Sequence, residues 1–266
     1  MTTSQAVREE RVDVAGCPIT VRVVGQGGPL VLLPRENIDP VGLPFTERLA
    51  ERFTVYTPIL PGYHGSEVGC WTWLADVRDL AITQRQWIDA LGLDGVTLVG
   101  LGFGGWLAAE MASMCGRGFD RLVLVSAMGM QAREGAIFDQ FLVSTELYSR
   151  QAFHHQENFN RLFSEAPEFD QLEAWETDRE MSSRVAWKPY MYNRSLPRLL
   201  GSCRVPALVV WGAEDRVVPV ECAELYAEAL GDAPVRVIES CGHAVEAEEP
   251  EQLAGLVTAF HEGVRY

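Results

Sequence analysis

At 266 residues, 47% hydrophobic and 22% charged, the chain has the size and composition of one soluble α/β domain, or one core with a modest insertion. Its net charge of −15, with Lys188 the only lysine, repels phosphate backbones, which excludes nucleic acid and anionic membrane as partners. No basic-then-apolar N-terminal segment and no apolar run of ~18 residues appears, so neither a signal peptide nor a membrane span is expected.

In chain order, the alternating segments Arg11–Ala15 and Ile19–Val24 predict an antiparallel hairpin around Gly16. Six short apolar runs follow: Pro29–Leu33, Thr54–Leu60, Val96–Gly100, Leu122–Ala127, Ala207–Gly212 and Val235–Ser240. Runs apolar on both faces suit parallel strands covered by helices. The spacers Leu43–Arg52, Thr72–Leu91, Gly104–Cys115, Pro219–Leu230 and Pro250–Gly263 supply those helices. This alternation predicts a doubly wound, mostly parallel α/β sheet.

One spacer is too long for a crossover: almost eighty residues separate Ala127 from Val205. Its stretch Gln131–Cys203 is rich in aromatics and helix-compatible, with few strand signals, and reads as a helical cap. The domain organisation is therefore a core over 1–130 and 205–266 with a cap, or lid, over 131–204. Most of the cap aromatics are expected to form its own core. The six cysteines are scattered without metal spacing and are expected to be reduced thiols in a cytoplasmic protein. His154 and His155 are adjacent, so on a helix they would point apart, which argues against a shared metal.

The segment Gly100-Leu101-Gly102-Phe103-Gly104-Gly105 follows an apolar strand and opens a helix. It fits the dinucleotide pattern G-x-G-x-x-G, and also the nucleophile elbow G-x-S-x-G with glycine in the serine place. The dinucleotide reading needs an acidic residue ending the next strand, and that strand ends in Ser126-Ala127. No cofactor is therefore expected. The elbow reading gains from "ALVVWGAEDRVVP", which puts Asp215 just past one apolar strand, and from "ESCGHAVE", which puts His243 past the next. Acid after one strand and histidine after the following one is the chain order of a hydrolase triad.

On these residues the chain resembles the α/β-hydrolase superfamily, and most closely the capped hydrolases that cleave carbon–carbon bonds in meta-cleavage products. "ILPGYHGSE" (Ile59–Glu67) resembles the family's loop after the fourth strand, and "WKPYMYNRSLPRLL" (Trp187–Leu200) its passage from the cap into the acid-bearing strand. The resemblance runs from about Val12 to the C-terminus. It implies an α/β-hydrolase fold, with Asp215 and His243 forming a general base in which the carboxylate orients the imidazole.

Two departures bear on the chemistry. Gly102 leaves no hydroxyl at the nucleophile position, and Pro34-Arg35-Glu36-Asn37 stands where the family usually carries His-Gly beside the oxyanion hole. A made serine-to-glycine mutation accounts for the first but not the second, so natural divergence is the preferred reading. Glycine at the elbow relieves backbone strain and is expected to leave room for a water or a substrate atom beneath the imidazole. The Phe103 N–H, at a helix start, is expected to stabilise an oxyanion or enolate. Arg35 either replaces the lost oxyanion donors or pairs with a surface carboxylate. Tyr63 and His64 are expected near the crevice mouth, and Arg184, Trp187, Lys188 and Tyr190 under the cap, where they would anchor an acidic or phenolic substrate. Cys241, two residues before His243, is the weaker candidate for a substitute nucleophile.

The preferred function is a serine-independent, cofactor-independent enzyme in which His243 abstracts a proton from a small or medium carbonyl compound, aromatic or polyketide-like. Such chemistry covers C–C cleavage or formation, elimination, cyclisation and isomerisation, with cofactor-free oxygenation as a further version. The rivals are hydrolysis by activated water, an inactivated serine hydrolase, and a pseudo-hydrolase that binds a small molecule without turnover. The expected partner is a small-molecule substrate; a homodimer is left open.

Overall fold

The structure, a computed structural model, describes residues 6–264. Strands β1 (Arg8–Val14) and β2 (Cys17–Val24) pair antiparallel across the turn Ala15-Gly16, both residues having positive φ. A turn of that kind matches the right-handed twist of the strands it joins. The strands that follow are β3 (Gly28–Leu33), β4 (Phe53–Pro58), β5 (Val96–Leu101), β6 (Phe119–Val125), β7 (Ala207–Gly212) and β8 (Val235–Ile238). They are parallel to one another, and the hairpin joins them through the antiparallel β2–β4 pair. The sheet order is β1-β2-β4-β3-β5-β6-β7-β8.

Both faces of the sheet are covered, and β3 shows why its sequence is apolar throughout. Leu30 and Leu32 pack in one layer with Phe45 and Leu49 of α1 (Pro44–Ala50) and Leu253 and Val257 of α9 (Pro250–His261). Val31 and Leu33 face the opposite layer with Leu80 of α2 (Val77–Ala90), Leu107 of α3 (Phe103–Met114) and Tyr226 of α8 (Glu221–Ala229). The period-2 alternation of a strand sends successive side chains to the two cores.

Between β6 and β7 run α4 (Thr145–Gln151), α5 (Gln156–Phe163), α6 (Phe169–Ala186) and the short α7 (Leu196–Leu200). Phe153, Phe159 and Trp175 are buried among these helices, with Phe153 against Phe159 at 5.6 Å and Phe159 against Trp175 at 6.3 Å between ring centroids. No helix among the described residues is long and apolar enough to cross a membrane.

Three expectations are corrected. The helix placed at Thr72 begins at Val77, because the Asp76 carboxylate accepts the N–H groups of Arg78 and Asp79 and caps it there. Cys17 and Cys70 are not reduced thiols but a disulfide between β2 and the turn Val68–Trp71; Cys115, Cys203, Cys222 and Cys241 are free. His154 and His155 lie between α4 and α5 rather than on a helix, with their rings 4.5 Å apart, edge to face.

Candidate active site

The strand order reverses at β3: the chain steps from β3 to β4 on one side and returns with β5 on the other. Loops leaving the carboxyl ends of two strands that flank such a switch point diverge and open a crevice. Here they are Pro34–Asn37 after β3 and Gly102 after β5. Leu33 is in register with Gly100, so the two loops start side by side although 66 residues separate Glu36 from Gly102 in sequence.

Gly102 has φ +51 and ψ −114, outside the conformations that side-chain-bearing residues favour, and turns the strand sharply into α3. The next glycine serves close approach. A Cβ on Gly104 would lie 2.3 Å from the Leu33 carbonyl oxygen, so only glycine lets α3 start against β3.

The space beside Gly102 is not open to water or substrate, contrary to the sequence expectation. A Cβ there would lie 3.0 Å from Glu36 Oε2, 3.1 Å from Arg35 Cβ and 3.3 Å from Arg35 Nη1. Glu36 Oε2 accepts the Phe103 N–H at 3.2 Å, and Glu36 Oε1 accepts the Tyr148 hydroxyl at 2.8 Å. The backbone donor read as an oxyanion donor is thus engaged by an internal carboxylate. Burial pushes the Tyr148 hydroxyl pKa well up, and the charge of Glu36 adds to the shift, so the phenol stays protonated and donating.

His243 Nδ1 lies 2.8 Å from Asp215 Oδ2, both side chains fully buried. Asp215 Oδ1 accepts the N–H groups of Val217 and Val218, each at 2.8 Å, which fixes the carboxylate in the turn after β7. The other imidazole nitrogen, Nε2, is buried without a hydrogen-bond partner. Ser126, in the residue after β6, has a buried hydroxyl that is likewise unpartnered, so it forms no nucleophile–base pair with His243. Burial pushes the Cys241 thiol well above its ordinary pKa, with Glu248 and Glu246 adding to the shift, which makes it a poor nucleophile.

Arg35 does not pair with a surface carboxylate; its Nη1 is buried without a hydrogen-bond partner among the described residues, 3.3 Å from where a Cβ on Gly102 would lie. Its Nε and Nη2 donate to Glu246 Oε1 and Oε2 at 2.5 and 2.8 Å, and Nη2 also donates to the His243 carbonyl at 2.8 Å. Burial alone would lower its pKa. Glu246, chiefly, with Glu36 and Asp215 instead holds it above the ordinary value.

A cavity of about 630 Å³ opens between the sheet's carboxyl edge and helices α5 and α6. Its wall includes Arg35, Glu36, Tyr63, His64 and Asp178. Tyr63 is buried with its hydroxyl 3.1 Å from Ser182 Oγ, whereas His64 is exposed and its backbone N–H donates to Asp178 Oδ1 at 2.7 Å. Gly102, Phe103, Asp215 and His243 do not line it. The supposed substrate anchors lie elsewhere. Arg184 is exposed and pairs with Glu180 at 3.6 Å, Trp187 is 55% exposed, and Lys188 is exposed on a separate surface depression with Tyr190. The Tyr190 hydroxyl donates to the Phe138 carbonyl and accepts the Gln140 N–H, a packing role.

Sequence reasoning passed over Glu36, Tyr148, Asp178 and Glu246. Glu36 had a usable signal, an acidic residue just past a central strand at a switch point. Tyr148 and Asp178 sit within helical patterns that carry no mark of the site.

Asp178 is half-buried, and its pKa is pushed up to about 7 by burial, with Glu36 adding to the shift and the His64 N–H opposing it. A folded-state pKa above the unfolded value means that the folded chain holds the extra proton, so its contribution to stability falls as pH rises from about 4 through 7. Asp178→Asn removes that titration. The variant is expected to melt higher than wild type at pH 8, with the difference shrinking or reversing at pH 5. Parallel melting curves at both pH values would contradict this.

The sequence pattern of the alpha/beta hydrolase family matches residues 31–256. An uncharacterized protein of Mycobacterium tuberculosis is 25% identical over 241 residues, spanning 80% of this chain and 69% of its own. Among solved structures, a bacterial membrane phospholipase A superposes with TM-score 0.82 at 25% identity, over 97% of this chain and 86% of that one. A meta-cleavage product hydrolase of Pseudomonas fluorescens superposes with TM-score 0.78 at 20% identity, over 96% and 98%.

Proposed function

The chain belongs to the alpha/beta hydrolase family, and on that premise we propose that it is a serine-independent enzyme whose general base is His243, oriented by Asp215. The substrate is a small or medium carbonyl compound, aromatic or polyketide-like, held between the core and residues 131–204 acting as a cap. The chemistry is proton abstraction leading to C–C cleavage or formation, elimination, cyclisation or isomerisation. One observation carries the reading: the His243–Asp215 hydrogen bond of 2.8 Å is kept with Nε2 free, beside an elbow that has no hydroxyl. Glu36 holds the Phe103 N–H, so a substrate oxygen reaches that donor only when the Glu36 side chain turns toward the cavity it lines.

The crowding at Gly102 argues against an inactivated serine hydrolase. The wild type is expected to resist fluorophosphonate labelling and to show negligible turnover of aryl esters. Gly102→Ser is expected to gain neither, and to lose on the order of 1–3 kcal/mol through a side chain forced at positive φ against Glu36 and Arg35. Fluorophosphonate labelling of the variant at residue 102 with strong esterase activity would restore the serine-hydrolase reading.

A second reading is a ligand-binding pseudo-hydrolase. It is favoured by the internal carboxylate on the Phe103 N–H and by the absence of His243 from the cavity wall. The readings part at His243→Ala: a receptor keeps its ligand affinity, whereas an enzyme loses rate.

A further inference from the structure

Four carboxyl groups line the cavity, Glu36, Asp39, Asp170 and Asp178. Asp39 is paired with Arg22, whereas Glu36 from the loop after β3 and Asp178 from α6 face the cavity from different layers. Their environments differ. Glu36 accepts one hydrogen bond on each oxygen, from the Phe103 N–H and the Tyr148 hydroxyl, and has Arg35 as a charged neighbour. A carboxylate oxygen has two lone pairs, so each keeps one for a substrate. Asp178 accepts a single backbone N–H, from His64, and has no cationic partner within ion-pairing distance among the described residues. Both arginines on the cavity wall are committed elsewhere, Arg35 to Glu246 and Arg22 to Asp39. The charge of each wall arginine is therefore offset by a carboxylate, while Arg35 Nη1 and Arg22 Nε keep donors without a hydrogen-bond partner among the described residues.

We propose that Glu36 and Asp178 are an acid–base couple that meets an uncharged carbonyl substrate in this cavity, Glu36 as base and Asp178 as proton donor. Glu36 takes a proton from the carbon next to the carbonyl. The C–H electron pair becomes the C=C bond, and the carbonyl oxygen takes the Asp178 proton, giving the enol and leaving two exchanged protonation states. Two carboxyl groups in unlike surroundings are the usual basis of such a division of labour. The raised Asp178 pKa, about 7, agrees with the donor role. The other titratable or charged groups around the pair are Arg22, Arg35, Asp39, Tyr63, His64, Tyr148, Asp170 and Arg179. The inference shares the carbonyl acid–base reading above but assigns the contact with substrate to a different pair of residues.

The test uses the whole protein and an uncharged epoxide, 1,2-epoxy-3-(4-nitrophenoxy)propane. In the labelling step a Glu36 oxygen bonds to an epoxide carbon, that carbon's ring C–O bond breaks, and the ring oxygen takes the Asp178 proton, leaving an ester on Glu36. Peptide mapping of the wild type is expected to find one ester, on Glu36, formed more slowly as pH rises through about 7. Asp178→Asn, checked by its melting curve, is expected to slow labelling at least tenfold at pH 6 and to flatten that pH profile. No ester on Glu36, or an Asp178→Asn rate equal to wild type, overturns the couple. An ester on Glu36 with turnover indifferent to His243 keeps the couple and overturns the dyad. Turnover dependent on His243 with no ester on Glu36 does the reverse.

Discussion

Replacing His243 by alanine is expected to lower turnover of the native substrate by about 10²–10⁴-fold, the usual worth of a positioned general base. Asp215 fixes which imidazole nitrogen carries the proton, leaving Nε2 as the acceptor. Asp215→Asn should therefore lose rate as well, because an amide can present its NH₂ to Nδ1 and turn the tautomer round. The fall should appear in kcat rather than in KM, since the base acts in the transition state and not in ground-state binding. Ligand affinity measured by calorimetry should change little in His243→Ala. If kcat survives the substitution, the dyad is a packing feature and the carboxylates of the cavity become the reacting groups.

Arg35→Met is expected to destabilise the fold by about 3–5 kcal/mol, because it leaves the Glu246 carboxylate buried without its partner. The pair is bidentate and fully buried, and the two residues are 211 positions apart in sequence, so it ties the loop after β3 to the turn carrying His243. Arg35 also donates to the His243 carbonyl, which holds the backbone of that turn. The double variant Arg35→Met with Glu246→Leu should recover most of the loss, since a buried ion pair seldom exceeds well-packed apolar side chains in net worth. Urea denaturation of the two single variants and the double variant gives the cycle directly. A single-variant cost below about 1 kcal/mol would mean that water reaches the pair, as it does for exposed ion pairs.

Much of the architecture was legible in the chain by itself. The apolar runs became strands because a strand covered on both faces needs apolar side chains at every position, and that requirement is written locally. Ala207–Gly212 coincides end to end with β7, while β8 stops at Ile238, short of the predicted Ser240, whose φ of +55 breaks the extended run. The positions of Asp215 and His243 just past consecutive strands were equally readable, because parallel strands bring their carboxyl ends to one edge.

Tertiary structure alone decided what fills that edge. Glu36 enters the space beside Gly102 because β3 and β5 are sheet neighbours across the switch point, a pairing that no periodicity encodes. Long-range packing likewise brings Arg35 to a buried glutamate beyond β8 instead of a surface one, and Tyr148 of α4 to Glu36 across 112 residues. The disulfide between Cys17 and Cys70 depends on a spatial meeting that chain spacing does not announce. Arg184, Trp187 and Lys188 carried the right chemistry for substrate anchors, yet the helix that bears or precedes them turns those side chains to solvent and Asp178 to the cavity. Local sequence determines which faces are buried; which buried groups meet is determined by long-range packing, and the chemistry of this site depends on those meetings.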